Sequence, residues 1–372
     1  VVFFFFASGE TLPQSDSNFI PGLELCQAFY TEAVEPILRN DFPQILYSAA
    51  LIGNGSEVLG FDSEMSSDHD WGPRVMLFVG ASDLNKYAPA ISRTLSEKLP
   101  RRFRGYATEY ATTARPIDHN VTVDSIAGFF DQYMRFNIEN EMRPADWLTI
   151  PEQKLLAVTA GQVFEDKVGL QDIRAKFAYY PHDVWLYLLA SGWTRIEQEE
   201  HLMGRAGITG DELGSAVIAA RQVDNIMRLC FLMEKSYAPY PKWFGSAFKN
   251  LRAGPDLYAI LQKVLAAETW QNRESHLSNA YEYLAKMHNQ LAITEPLVQT
   301  VSQFHERTFS VISMGLFSKT IMAKITNAEI KAIAQRPLIG SIDQFSDSTD
   351  MKTNASWRPV LCQLFTDESV DA

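Results

Sequence analysis

The chain of 372 residues carries 33 Lys and Arg against 45 Asp and Glu, a formal net charge of −12. Such an acidic balance argues against a general nucleic-acid binder, which meets phosphates with a basic face, though not against a small nucleotide whose charge metal ions neutralise. At 46% hydrophobic and 21% charged the composition is that of a globular protein large enough for two domains; no segment reaches the roughly 20 apolar residues of a membrane span, and Cys26, Cys230 and Cys362 are too scattered for a metal motif or a disulfide framework, which points to a reducing, cytoplasmic setting.

Val1 to Ala7 (VVFFFFA) is apolar but short, and residues 1–22 are expected to form a flexible tail, with the end of a signal-peptide core as the alternative. From Leu23 to Leu38 apolar residues recur at helical spacing, with Leu25, Phe29, Ala33 and Ile37 on one stripe. Gln44 to Leu51 reads as a short strand.

The stretch that follows, GNGSEVLGFDSEMSSDHDWGPRVMLFV, carries the chemistry. Gly55-Ser56 is expected to open a helix, where free backbone N–H groups and a small residue let phosphate approach. Asp68 and Asp70 flank His69; at i and i+2 on an extended segment their carboxylates share one face and converge on a divalent metal site, with His69 facing away. Paired carboxylates repel unless a cation holds them, and Mg²⁺ accepts carboxylate, water and phosphate oxygens. The apolar run Val75 to Val79 reads as a strand, and Trp71-Gly72-Pro73-Arg74 places a bulge or break before it.

Asp83 to Leu99 is expected to be a helix, Val121 to Asp124 a strand and Ile126 to Tyr133 a helix. Asp124 ends that strand and is a candidate to cap the helix that follows. Arg143 to Leu148 bridges to a second domain, read as almost entirely helical from Pro151 to about Glu295, with breakers at Gly192, Gly204 to Gly210, Pro239 to Pro241 and Gly254-Pro255. Gly340 to Asp350 (GSIDQFSDSTD) either folds back over the first site or forms a capped surface loop, the loop being preferred.

A Gly-Ser pair followed at this distance by Asp-x-Asp and an apolar strand resembles the nucleotidyltransferase superfamily, which includes DNA polymerase beta and kanamycin nucleotidyltransferase. Taken whole, the segments GSEVLGFDSEMSSDHDWGPRVMLF, DWLTIPEQKLLAVTAGQVF, YYPHDVWLYLLA, GDELGSAVIAARQVDNIMRLCFLME, YAPYPKWFGSAF and GSIDQFSDSTD resemble the domain of unknown function 4037 family over about residues 23 to 365. The resemblance implies an α+β protein: a small nucleotidyltransferase-type α/β domain with a mixed sheet (23–145), a larger helical domain (146–335) and a C-terminal segment (336–372). It implies a third carboxylate that helps hold metal or takes the acceptor's proton, a part for Asp124. It also implies a general base from the helical domain, for which Glu199 and Glu200 are candidates, and a lysine on the triphosphate, for which Lys242 is. The expected activity is transfer of a nucleoside monophosphate from a triphosphate, ATP first among them, to a hydroxyl of a small molecule or a protein. Two Mg²⁺ ions are expected at Asp68 and Asp70, the triphosphate at Gly55 and Ser56, and a homodimer is possible. The alternative is a catalytically silent fold that binds or senses a nucleotide.

Overall fold

In the computed structural model the described residues are 19–65, 71–112, 115–312 and 315–366; of 110–112 and 115–118 the backbone alone is described. Two apolar strands, β1 (Tyr47–Leu51) and β2 (Val75–Val79), pair antiparallel with Tyr47 opposite Val79 and Ala50 opposite Met76. Successive side chains of a strand point to opposite faces, and here each face meets its own core. Tyr47, Ala49, Val75, Leu77 and Val79 pack against Leu25, Phe29, Val34 and Leu38 from one side. Ala50, Ile52 and Phe78 pack from the other against Phe129, Phe130 and Met134, and that core continues through the helical part as far as Phe365.

The first core is covered by α1 (Gly22–Phe29) and α2 (Glu35–Asp41), separated by one π turn at Tyr30–Val34 where a single continuous helix was expected. After β2 the chain crosses over through α3 (Ala81–Lys98) and two short hairpins, β3 (Arg102–Phe103) with β4 (Tyr106–Ala107) and β5 (Glu109–Thr112) with β6 (Arg115–His119). It returns as β7 (Val121–Ser125), parallel to β2, with Met76 opposite Thr122 and Phe78 opposite Asp124. Ser125 caps α4 (Ile126–Met134) by accepting from the Gly128 N–H at 3.0 Å. The cap expected of Asp124 therefore belongs to its neighbour.

Beyond α5 (Pro144–Thr149) and α6 (Glu152–Thr159) the chain returns to the sheet as β8 (Gln162–Asp166), where a helical run was expected. β8 pairs antiparallel with β1, giving a mixed sheet in the order β7-β2-β1-β8. Asp166 locks this edge: its Oδ1 accepts from Ser48 Oγ at 2.6 Å and from the Gly169 and Leu170 N–H groups.

The helical part follows α7 (Leu170–Ala175). Helix α8 (His182–Ile208) packs along α9 (Glu212–Met233), and α10 (Pro241–Lys249), α11 (Gly254–Ala266) and α12 (Trp270–Gln290) complete the bundle. A two-stranded ribbon, β9 (Ser302–Gln303) and β10 (Ser310–Val311), leads to α13 (Leu316–Met322) and α14 (Ala328–Ala334). The protein is thus α+β, and no helix among the described residues is long and apolar enough to cross a membrane.

The C-terminal motif is not the surface loop preferred from sequence. At the start of α15 (Ile342–Phe345) the Ser341 N–H donates to Gln344 Oε1 at 3.1 Å, and both residues are buried. Gln344 Nε2 donates to the Leu188 carbonyl at 3.0 Å, and Asp343 Oδ2 accepts from the Glu152 N–H at 2.7 Å. These bonds pin the segment to α8 and to the start of α6. Burial first, then the nearby Asp343 charge, pushes the Glu152 carboxyl up to about 8. The chain then runs through α16 (Thr349–Thr353) and α17 (Arg358–Cys362).

Candidate functional site

Three glycines with positive φ, Gly53 at 86°, Gly55 at 138° and Gly60 at 71°, turn the chain away from β1. Only glycine enters this region without penalty, so the segment forms consecutive turns in place of the expected helix start: the Leu59 and Phe61 N–H groups both return to the Ser56 carbonyl. Inside the turn Glu57 is 1% exposed. Arg74 Nε donates to Glu57 Oε1 at 2.8 Å, and Arg74 Nη2 donates to the same oxygen and to the Asn54 carbonyl. A Cβ on Gly55 would collide with the Arg74 guanidinium and the Glu57 carboxylate. Among the described residues Glu57 Oε2 has no hydrogen-bond partner, and burial outweighs the arginine, so its carboxyl is held above the usual range.

Below this turn lies a cleft of about 500 Å³. Its floor is the β2–β7 pair, through Met76, Thr122 and Asp124, and one wall is α4, where Phe129 and Tyr133 stack at 5.4 Å. The Tyr133 hydroxyl donates to Asn54 Oδ1 at 3.0 Å, tying that wall to the turn. The opposite rim is the start of α6, with Gln153 and Lys154, and Thr353 of the C-terminal segment. A recess of about 220 Å³ opens toward Gly53, Arg74 and Asn120 and shares Asn54, Thr122, Phe129 and Tyr133 with the cleft.

The sequence-derived candidates within the described residues do not share one place. Asp124 is in the cleft, half-buried, its Oδ1 accepting from its own Ser125 N–H at 2.6 Å. Gly53 and Asn54 reach the cleft or its recess, whereas Gly55 and Ser56 do not line either. Asp68 and Asp70 lie outside the described residues, between Met65 and Trp71. Trp71 itself is buried, stacked on Phe19 at 5.6 Å, with its Nε1 on Asp62 Oδ2, and the strand starts only at Val75, as the Gly-Pro pair requires.

Glu199 is held by Arg221 at 2.8 Å, and Glu200 accepts from the Ile312 N–H at 2.7 Å, both in the bundle and neither on the cleft. Lys242 is exposed at the start of α10, 4.8 Å over the Trp243 ring. Trp243 stacks on Phe61 at 5.3 Å, so α10 abuts the turn that leads toward Asp68.

Two cations escaped the sequence reading. Arg74 was read as part of an interruption before the strand, and Lys154 was not singled out. Lys154 is 7% exposed; its Nζ donates to the Tyr133 carbonyl at 2.7 Å and lies 4.2 Å over the Tyr133 ring. Burial lowers its pKa to about 8. Among the described residues no group of three or more His, Cys, Asp or Glu is placed to hold a metal ion. Among the described residues that line the cleft, the carboxylate is Asp124.

Residues 147–244 match the family described as Domain of unknown function (DUF4037), the resemblance read from the sequence. The match runs from α5 into α10 and includes Lys154. No curated protein matches the chain in sequence. Among solved structures, a nucleotidyltransferase-like protein from Exiguobacterium sibiricum is similar at 15% identity, covering 70% of this chain and 78% of that one, with a TM-score of 0.30.

Proposed function

We propose that this chain, whose residues 147–244 match the DUF4037 family, is a metal-dependent nucleotidyltransferase that moves a nucleoside monophosphate from a triphosphate to a hydroxyl of a small acceptor and releases pyrophosphate. The observation that carries the reading is one of register. β7 runs parallel to β2, the strand that follows Asp68 and Asp70, and sets Asp124 into the cleft opposite Phe78.

In this reading Asp68 and Asp70 hold Mg²⁺, which supplies charge neutralisation on the phosphates when bound. The acceptor hydroxyl oxygen bonds to the α-phosphorus, the bond to the pyrophosphate oxygen breaks, and the proton passes to the Asp124 carboxylate. Asp124 is preferred over Glu199 and Glu200 because it lines the cleft while they are engaged elsewhere. The triphosphate is assigned to the recess lined by Gly53, Asn54 and Arg74, next in sequence to Gly55-Ser56. Lys242, beside the Phe61–Trp243 stack, is the candidate to steady the nucleotide from α10. Most of the acceleration comes from positioning and fixed charge.

The test is calorimetric titration with ATP, GTP, CTP and UTP, with and without Mg²⁺, on wild type and Asp68→Asn/Asp70→Asn. Mg²⁺-dependent binding lost in the double variant supports the reading. A second reading, a nucleotide sensor without chemistry, draws on the Trp71-Gly72-Pro73 interruption, which delays the strand to Val75. Binding indifferent to metal and to both substitutions would favour it.

A further inference from the structure

Lys154 is a buried cation that the fold does not explain. No carboxylate pairs with it among the described residues; its bonds are to a carbonyl and a ring face. A buried charge is costly unless paired, and this one borders an open cleft rather than a closed core. The titratable groups around it are Asp124 from β7, Tyr133 from α4, Glu152 on its own helix, and Asp343 and Lys352 of the C-terminal segment. None of them is a cause of its lowered pKa, which is burial alone.

The cleft also has two ends of different character. The recess carries Arg74 and the turn; the larger lobe carries Asp124, Gln132, Gln153, Lys154 and Thr353. The lobe, about 500 Å³, is of the size that encloses a small molecule. Side-chain amides and a hydroxyl beside the ammonium suit a group with several acceptor oxygens.

We propose that the larger lobe is the acceptor subsite and that the acceptor is a phosphate-bearing hydroxyl compound, its phosphate paired with Lys154 and its hydroxyl turned toward Asp124. This rests on the nucleotidyltransferase reading. The nucleotide's own triphosphate has the same chemistry, so the experiment separates the two sources.

Inorganic phosphate is titrated calorimetrically into the full chain at pH 7.5, alone and after saturation with Mg²⁺ and α,β-methylene-ATP, for wild type and Lys154→Met. The expected result is phosphate binding of equal affinity in both conditions, weakened about ten-fold or more in Lys154→Met, as loss of a charge-assisted contact implies. In wild type the affinity should also fall between pH 7.5 and 9.5, where phosphate only gains negative charge while Lys154 loses its positive one; that measurement needs no variant. Phosphate affinity unchanged in Lys154→Met, or unchanged over this pH range, overturns the proposal. Exclusion of phosphate by the nucleotide analogue overturns the acceptor assignment and gives the lysine to the triphosphate. Phosphate held by Lys154 in a protein whose nucleotide binding ignores Asp68 and Asp70 overturns the transferase reading while the anion site stands.

Discussion

Gly55→Ala separates two explanations of the glycine. If Gly55 is there to admit phosphate, alanine weakens nucleotide binding and leaves the fold alone. The structure gives it another task, since a Cβ would fall on the Arg74–Glu57 pair. At φ 138° the alanine backbone is strained by about 1–3 kcal/mol. Pushing Arg74 aside leaves the 1%-exposed Glu57 uncompensated, and breaking a buried pair costs about 3–5 kcal/mol. The sum is at least about 4 kcal/mol, a large part of the 5–15 kcal/mol that holds a typical domain. Urea unfolding reads it as a lowered midpoint at constant slope. In an Arg74→Met/Glu57→Gln background the same alanine should cost only the backbone term. A Gly55→Ala protein within about 1 kcal/mol of wild type, or an equal cost in both backgrounds, refutes the argument.

Lys154 binds its proton less tightly folded than unfolded, so stability should rise with pH between about 8 and 10.5. Lys154→Met should abolish that rise and be more stable at pH 7 by up to about 3 kcal/mol, measured by urea midpoints across the range. His288, fully buried between Trp193 and Phe317, has its pKa lowered by burial to about 4. The unfolded chain takes up that proton first, so stability should fall by about 3 kcal/mol as pH drops from 6.5 to 4, a limb absent in His288→Leu; thermal melts at each pH check this. Asp343→Ala strips the Glu152 N–H of its acceptor and leaves the buried Lys352, 3.9 Å away, without its counter-charge. It should cost about 3–5 kcal/mol, whereas Asp343→Asn, which keeps an acceptor, should cost clearly less by the same urea assay.

The sheet and bundle were legible where local pattern and tertiary role agree. Val75–Val79 is apolar on both faces and lies between two cores; Asp83 to Leu99 and Ile126 to Tyr133 were read within a few residues of α3 and α4. β8 was missed because Gln162–Asp166 has no clean alternation: four of its five residues are half-buried, being at the sheet's edge. The turn after β1 was taken for a helix start from its Gly55-Ser56 pair; the positive φ of Gly53, Gly55 and Gly60 follows from tertiary packing that no spacing encodes. The same holds for the site. Asp124 was visible as a carboxylate ending a strand. Lys154 became notable only once α6 had buried it against Tyr133, and burial of a polar residue is not a local property.

The place of β8 has a consequence during synthesis. β1 is complete at Leu51, but the strand that covers its outer edge ends at Asp166, roughly 115 residues later. At about 5–20 residues per second that interval lasts about 6–23 s on the ribosome, with a row of backbone N–H and C=O groups open to any neighbouring nascent chain. A truncated product ending before Gln162 would keep that edge indefinitely. It should be recovered as aggregate rather than as a free-standing domain.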